Sequence, residues 1–336
     1  MEKLLVILDA SAFSNSACLL RLFRITVEGY TQKLENNDVC FGTAFHLFRK
    51  IFRDKGDCGM AEGLNVAKEY FIKTPMVVKP NKTYLTPLFL MRICMEYAEK
   101  YVHDKFKPIR VKTKKWITTN PGIENSGGFI EVEEPLLELK GAFPYYVDDE
   151  IEILMAFTID EIGKESNSIV SICDAKTTSV WNIKEYLDSY ELSCQLRFYK
   201  WSLLKYAEAY PESFIGELCK NDIGCFIDGI FYKGEKANVE YKRSNVMLFQ
   251  DDPGMVEFNE LVRIKVSNLI DAIQLSKVSA FVPIREGILN GACNTKYGLC
   301  NFFKVCSAVD DTTRNVILDY NFIKKPYNPL KFNESD

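Results

Sequence analysis

The sequence predicts a mixed α/β protein in which helices flank a central mixed sheet and the N-terminal portion is helical. Apolar residues recur at helical spacing at 17–23, 44–52, 64–71 and 88–101. From about residue 128 the segments become short and rich in β-branched and aromatic residues, at 129–133, 151–162 and 169–175. An amphipathic helix is then predicted at 189–210, followed by strands at 225–232 and 239–249 and a helix at 259–275.

The order of these segments predicts one domain over 1–336, and 47% hydrophobic residues suffice for a sizeable core. Within it, 53–128 is predicted to be a mostly helical insertion. The candidate catalytic sheet and helix span 129–250, and a cysteine cluster spans 290–310.

Charge and hydropathy narrow the class of protein. No apolar run approaches the roughly 20 residues of a membrane span, so we expect a cytoplasmic protein without a membrane partner. The net charge of −4 argues against a general affinity for nucleic acid. Residues 72–116 nevertheless carry eleven Lys or Arg against three acids. This run indicates either a phosphate-binding surface or a solvated helix face.

The sharpest local pattern is Asp174-x-Lys176 at the end of an apolar strand. Side chains two apart on a strand point the same way, so the carboxylate and the ammonium project together. A divalent cation beside a lysine that orients the attacking water is one explanation, and a surface ion pair is the other.

A second acid, Asp160, ends the preceding apolar run, and two carboxylates are the usual minimum for Mg²⁺ or Mn²⁺. A symmetric hairpin would set Asp174 opposite Phe157, so a shared cation requires a bulge, a bend or a turn centred nearer residue 167. On the following helix, Gln195 and Tyr199 are four apart and share one face.

Taken in order, these motifs resemble the RecB-type branch of the PD-(D/E)xK nucleases over about 290 residues, from 18 to 306. That branch includes the nuclease domains of RecB and AddB and the CRISPR-associated RecB-like exonucleases. The ordered motifs are Gly42-x3-His46, Val132-Glu133, Ile159-Asp160, Asp174-x-Lys176-Thr177 and Gln195-x3-Tyr199.

The resemblance implies a restriction-endonuclease-like core and a role for each matching residue. His46, Asp160 and Asp174 would be metal ligands for Mg²⁺ or Mn²⁺. The catalytic group would comprise Lys176, Gln195, Tyr199 and Glu133. One departure is Phe157, where the family often has a glycine.

Four cysteines form a second candidate site. Cys293, Cys300 and Cys306 are closely spaced, and Cys18 lies in the first helical segment. Some RecB-type nucleases hold a [4Fe-4S] cluster with one N-terminal and three C-terminal cysteines, so the resemblance implies a cluster here. The first C-terminal gap is six residues where the family commonly has two, and a zinc site or buried thiols are the alternatives.

These features predict a metal-dependent DNA nuclease, an exonuclease acting on single strands or free ends in recombination, repair or phage DNA metabolism. Trp181 and the basic run before Trp116 are candidates for DNA contact. The alternative is a catalytically silent DNA-binding or scaffold subunit of a helicase–nuclease complex. A helicase or recombination protein would then be the partner, because the chain has no Gly-x4-Gly-Lys motif of its own.

Overall fold

A computed structural model describes residues 3–118, 127–166, 168–180, 182–234, 238–246, 248, 253–278, 286–295 and 298–330. The strands are β1 Leu4–Leu8, β2 Tyr30–Gln32, β3 Glu35–Asn36, β4 Met76–Val77, β5 Lys107–Pro108, β6 Arg110–Thr118, β7 Gly127–Pro135, β8 Leu137–Val147, β9 Ile151–Lys164, β10 Ser171–Thr178, β11 Gly224–Phe231, β12 Glu240–Val246, β13 Asn294–Thr295, β14 Gly298–Leu299 and β15 Phe322–Lys324. The helices are α1 Ala10–Ser14, α2 Leu19–Thr26, α3 Asn37–Lys55, α4 Met60–Lys73, α5 Pro87–Tyr101, α6 Ile183–Asp188, α7 Cys194–Ala209, α8 Phe214–Leu218, α9 Pro253–Val278, α10 Glu286–Asn290, α11 Phe303–Ser307 and α12 Asp311–Asn321.

The main sheet is mixed and is organised around the long strand β9. Strand β1 pairs with β9 in parallel, whereas β5, β8 and β10 pair with it antiparallel. Beyond β10 the sheet continues with β11 in parallel and β12 antiparallel. The prediction of a mixed α/β fold with a central mixed sheet is therefore confirmed.

Two hydrophobic cores hold helices against this sheet. The larger core includes Phe198 of α7, Val262 of α9 and Ile153 of β9. The second core joins α3, α4 and α5 to the end of β11. On α3 the rings of Phe41, Phe45, Phe48 and Phe52 are at most 3% exposed. Each buried ring contributes about 1.5–3 kcal/mol to the stability of the folded protein. Burial of these rings therefore holds α3 in place and sets the positions from which its polar side chains extend.

The turn between β9 and β10 resolves the register difficulty posed by the sequence. Ser171 pairs with Gly163 and Cys173 with Glu161, so the pairing is symmetric about position 167. One further step along both strands brings Asp174 level with Asp160.

The segment 53–128 is less uniform than predicted. It is mostly helical as far as the end of α5, apart from the short strand β4, but from Lys107 onward it continues as β5 and β6. Strand β6 forms a separate two-stranded sheet with β7. Among the described residues, no helix combines the length and the apolarity needed to cross a membrane.

Candidate functional site

A cavity of about 340 Å³ opens beside β9, where its neighbouring strands leave a gap. Strand β1 pairs with β9 as far as Met155, and β10 pairs with it from Glu161 onward. The intervening residues of β9 include Thr158 and Asp160, and both line the cavity. Thr158 and Asp160 are partly exposed there, whereas Phe157 and Ile159 remain buried.

Three carboxylates from adjacent strands lie at one level of this gap. Leu137 pairs with Glu161 and Leu139 with Ile159, so the intervening Glu138 lies level with Asp160. On the other side of β9, the register brings Asp174 to the same level. The amide of Ala175 donates to Asp160 Oδ2 at 2.8 Å, which holds this carboxylate against β10.

His46, on α3, lies close to two of these acids, Glu138 and Asp160. Its Nδ1 lies 3.5 Å from Asp160 Oδ2. Ligand atoms of His46, Glu138 and Asp160 all lie within 4.8 Å of one another, a spacing that could hold one metal ion. Burial lowers the pKa of His46, although the Asp160 carboxylate opposes this change. The imidazole is therefore held in its neutral form, which is the form that ligates metals.

Glu138 has an unusual backbone as well as an unusual environment. Its φ of 51° makes it the one non-glycine with positive φ among the described residues. Burial, reinforced by the charge of Asp160, raises the pKa of Glu138 to about 7. Left-handed backbone costs an ordinary residue of order 1–3 kcal/mol and is concentrated at functional sites. A bound cation would relieve the repulsion between the two carboxylates.

Asp174 and Lys176 form an ion pair at the wall of the cavity. Lys176 Nζ donates to Asp174 Oδ1 at 2.9 Å and lies 2.8 Å from Oδ2. Within the described structure, Oδ2 is buried and accepts no hydrogen bond of favourable geometry. Burial, together with repulsion from Asp160, raises the pKa of Asp174 to about 6, although Lys176 opposes this change.

Gln195 and Tyr199 reach this ion pair from α7. Gln195 Nε2 donates to Tyr199 Oη at 2.7 Å and approaches Asp174 Oδ1 at 3.5 Å. The Tyr199 ring lines the cavity. Burial raises the pKa of Tyr199, so the phenol stays protonated and can donate a hydrogen bond to an anion.

We use the name acidic site for His46, Glu138, Asp160, Asp174 and Lys176. The structure thus brings together most of the predicted residues, and Gln195 and Tyr199 lie beside them. Asp174 differs from the prediction because it pairs with Lys176 and is not in the group spaced to share one metal.

Glu133 requires a correction. It is exposed in β7 opposite Lys112, and it does not line the cavity. Glu138 supplies the acid that was expected there. The prediction missed it although apolar Leu137 and Leu139 alternate with polar Glu138 and Lys140, a pattern typical of a half-buried strand.

The predicted DNA contacts of the basic run are not brought together at the cavity. Lys79 and Lys82 both bind Asp38, and Arg110 binds Asp54. These pairings are typical of a solvated protein surface. Trp181 lies outside the described residues, and of Trp116 only the backbone, in β6, is described.

Next to the acidic site along β9 and β10 lies a second buried charged group, which we call the arginine network. Arg49 Nη2 lies 2.5 Å from Glu161 Oε2, and Arg53 Nη2 lies 2.6 Å from Glu161 Oε1. Arg49 also donates to Tyr97 Oη, which in turn donates to Asp228. Arg49 lies three residues after His46 on α3, so the network attaches this part of the helix to the strands.

The four cysteines that were predicted to hold a cluster lie together at one place in the structure. Cys18, Cys293, Cys300 and Cys306 line one narrow cavity of about 10 Å³, and all are free thiols. Among the described residues, no three of their sulfur atoms lie within 4.8 Å of one another. A single zinc ion with Zn–S bonds of about 2.3 Å would draw its sulfurs to about 4 Å.

Two arginines beside these cysteines carry unsatisfied nitrogen atoms. Arg21 and Arg24 line the same cavity. Arg24 Nε and Nη1 and Arg21 Nε are buried without a hydrogen-bond partner in the part of the chain described. Buried guanidinium nitrogens ordinarily donate hydrogen bonds, so these atoms could donate to an acceptor in the cavity.

Comparisons with known proteins assign the chain to no group. No protein-family model matches the sequence, and no match was found among curated proteins.

Proposed function

We propose that the protein is a metal-dependent DNA nuclease with a PD-(D/E)xK-type core that hydrolyses phosphodiester bonds in single strands or at free ends. The observation that carries the proposal is the arrangement of His46, Glu138 and Asp160 around one cation-sized position beside the Asp174–Lys176 pair. A group of acids with raised pKa values in a cavity is a common property of catalytic sites. The order of motifs resembles RecB-type nucleases, which supports the choice of substrate.

The residues fit a divalent cation. Two carboxylates and a neutral imidazole suit Mn²⁺ or Mg²⁺, and the raised pKa of Glu138 reflects negative charge that a cation would offset. When bound, such an ion supplies Lewis-acid polarisation of the phosphodiester and favours deprotonation of water. His46, Glu138 and Asp160 would hold it.

Lys176 has the second essential role in this proposal. Although burial lowers its pKa, the charges of Asp174 and Asp160 raise the pKa of Lys176 above its ordinary value, so it remains an ammonium. An ammonium orients a water molecule and offsets negative charge that develops on the phosphate, but it does not act as the base. Asp174 holds it in position through the ion pair, and Gln195 approaches that carboxylate.

The four-cysteine cavity is proposed to hold a [4Fe-4S] cluster. The sulfurs are more widely spaced than one zinc ion requires, and the unsatisfied guanidinium nitrogens of Arg21 and Arg24 suit an anionic cluster. The cluster would connect α2 to the segment around α11, a structural role. Cys18, Cys293, Cys300 and Cys306 would be its ligands.

The test of the nuclease proposal is hydrolysis of end-labelled single-stranded and duplex DNA with Mn²⁺ or Mg²⁺. We expect Asp174→Ala and Lys176→Ala each to lower the rate by roughly two orders of magnitude or more, because a charge-stabilising group is lost. The matched controls are Asp271→Ala and Lys68→Ala, exposed residues of α9 and α4 that should retain wild-type rates. Equal rates in all five proteins would rule out this active site.

The cluster proposal is tested by iron content and visible absorbance of anaerobically purified protein. We expect a brown protein with broad absorbance, and loss of both iron and colour in Cys300→Ser. Cys58→Ser is the control, because Cys58 is exposed and lies outside the cysteine cavity. A colourless wild-type protein, or one that purifies with zinc, would contradict the proposal.

A further inference from the structure

The wall of the cavity beyond the acidic site carries a second, positively charged row. Lys50 and Lys140 both line the cavity, together with Thr158. We propose that Lys50 and Lys140 form a subsite for the phosphate adjacent to the scissile phosphodiester of a DNA strand. This inference rests on the proposed nuclease function and extends it to substrate positioning.

On each of three elements, one residue of this row lies one helical turn or two strand residues from a proposed metal ligand. Lys50 follows His46 by one turn of α3, and Lys140 follows Glu138 by two residues on β8. On β9, Thr158 precedes Asp160 by two residues and pairs directly with Lys140. Because β8 and β9 are antiparallel, these two strand steps run in the same direction.

The size of this step matches a nucleic-acid strand. Two residues of a β-strand advance about 6.6–6.8 Å, and one helical turn advances about 5.4 Å. Successive phosphates of an extended strand are separated by a comparable distance. A strand whose scissile phosphate lies at His46, Glu138 and Asp160 would therefore bring its next phosphate to Lys50 and Lys140.

The charges of the row suit this occupant. A phosphate approaching Glu138 and Asp160 meets carboxylates, so the strand needs positive charge nearby. Lys50 is exposed, and no hydrogen bond or ion pair to another described residue engages its ammonium. Lys140 Nζ donates to the carbonyl oxygen of Leu330 at 3.1 Å, a neutral partner that fixes its position at the rim.

Binding of a fluorescent oligothymidylate in Ca²⁺ or EDTA tests the subsite without requiring hydrolysis. For Lys50→Gln/Lys140→Gln we expect roughly tenfold weaker binding. The slope of log affinity against log salt should decrease by about 0.7, because the subsite binds one phosphate and each phosphate contact on a single strand releases about 0.7 counterion. The control is Lys68→Gln/Lys265→Gln, which removes the same charge from α4 and α9, away from the cavity.

A second measurement identifies which phosphate is bound. A single uncharged methylphosphonate next to the cleaved linkage should slow the wild-type enzyme roughly tenfold and have little further effect on Lys50→Gln/Lys140→Gln. Equal binding by the two double variants, or the same methylphosphonate effect in wild type and variant, would overturn the subsite. A wild-type protein that neither binds nor cleaves the oligonucleotide would instead overturn the nuclease proposal itself, and the subsite with it.

Discussion

The acidic site and the arginine network share strands β9 and β10 and are both contacted from α3, yet their charges are neutralised to very different degrees. In the arginine network, Glu161 receives both Arg49 and Arg53. In the acidic site, Glu138 and Asp160 repel each other, and the buried Oδ2 of Asp174 lacks a well-formed hydrogen bond among the described residues. Asp160 and Glu161 are nevertheless adjacent in sequence.

This difference has consequences for stability. A buried charge whose partners are all present stabilises one arrangement of the chain, and removing one partner is costly. A buried charge that is only partly offset lowers stability, and such charges are common at ligand-binding sites. Strands β9 and β10 carry residues of both groups.

The largest effect expected from this comparison is on stability, at Glu161. Glu161→Gln should lower the free energy of unfolding by about 3–5 kcal/mol, because Arg49 and Arg53 remain buried and lose the carboxylate that they share. Asp160→Asn, the matched change one residue away, should alter it by less than about 1 kcal/mol, since the amide oxygen can still accept from Ala175. Urea denaturation of the metal-free proteins measures both. Similar losses in the two variants would remove the distinction between the two groups.

A smaller effect, of opposite sign, is expected at Glu138. Its pKa is raised from 4.5 to about 7 on folding, so the folded protein retains a proton that the unfolded chain releases between these values. Stability contributed by this group therefore falls as pH rises through that interval. Glu138→Gln should increase the unfolding free energy of the metal-free protein by on the order of 1–2 kcal/mol at pH 8, less than full linkage because the side chain is partly exposed.

The same comparison at about pH 4 is the control, because Glu138 is then largely protonated in both the folded and the unfolded protein and resembles glutamine. The two proteins should have equal stability there. A glutamine variant that is less stable than wild type at pH 8 would indicate that Glu138 is already satisfied without a cation.

Much of the acidic site could be predicted because its signals are local in sequence. Asp174 and Lys176 are two apart on a strand, and Gln195 and Tyr199 are one helical turn apart. Whether Asp160 lies opposite Asp174 depends on the register that the turn between β9 and β10 sets. The sequence alone did not determine this register. Glu138 was missed because its position depends on pairing between β8 and β9, a contact between separate segments, and because Glu133 matched the expected motif.

The arginine network could not be predicted for the same reason. Arg49 and Glu161 are 112 residues apart, and each alone resembles an ordinary surface charge in sequence. The four cysteines were foreseen as a group only through resemblance, since Cys18 is separated from Cys293 by most of the chain. Contacts of this length are fixed by the tertiary fold and leave no periodic pattern.

The contact between Asp9 and Tyr327 determines when the wall of the cavity is completed during synthesis of the chain. Tyr327 Oη donates to Asp9 Oδ1 at 2.7 Å although the two residues are 318 positions apart, and nearby Pro329 lines the cavity. A chain that extends only from β1 to β12 contains every residue of the acidic site but lacks this wall. Nascent chains, and fragments that end before Phe322, would therefore carry the acidic site in an unfinished enclosure until synthesis has passed the cysteine-rich segment.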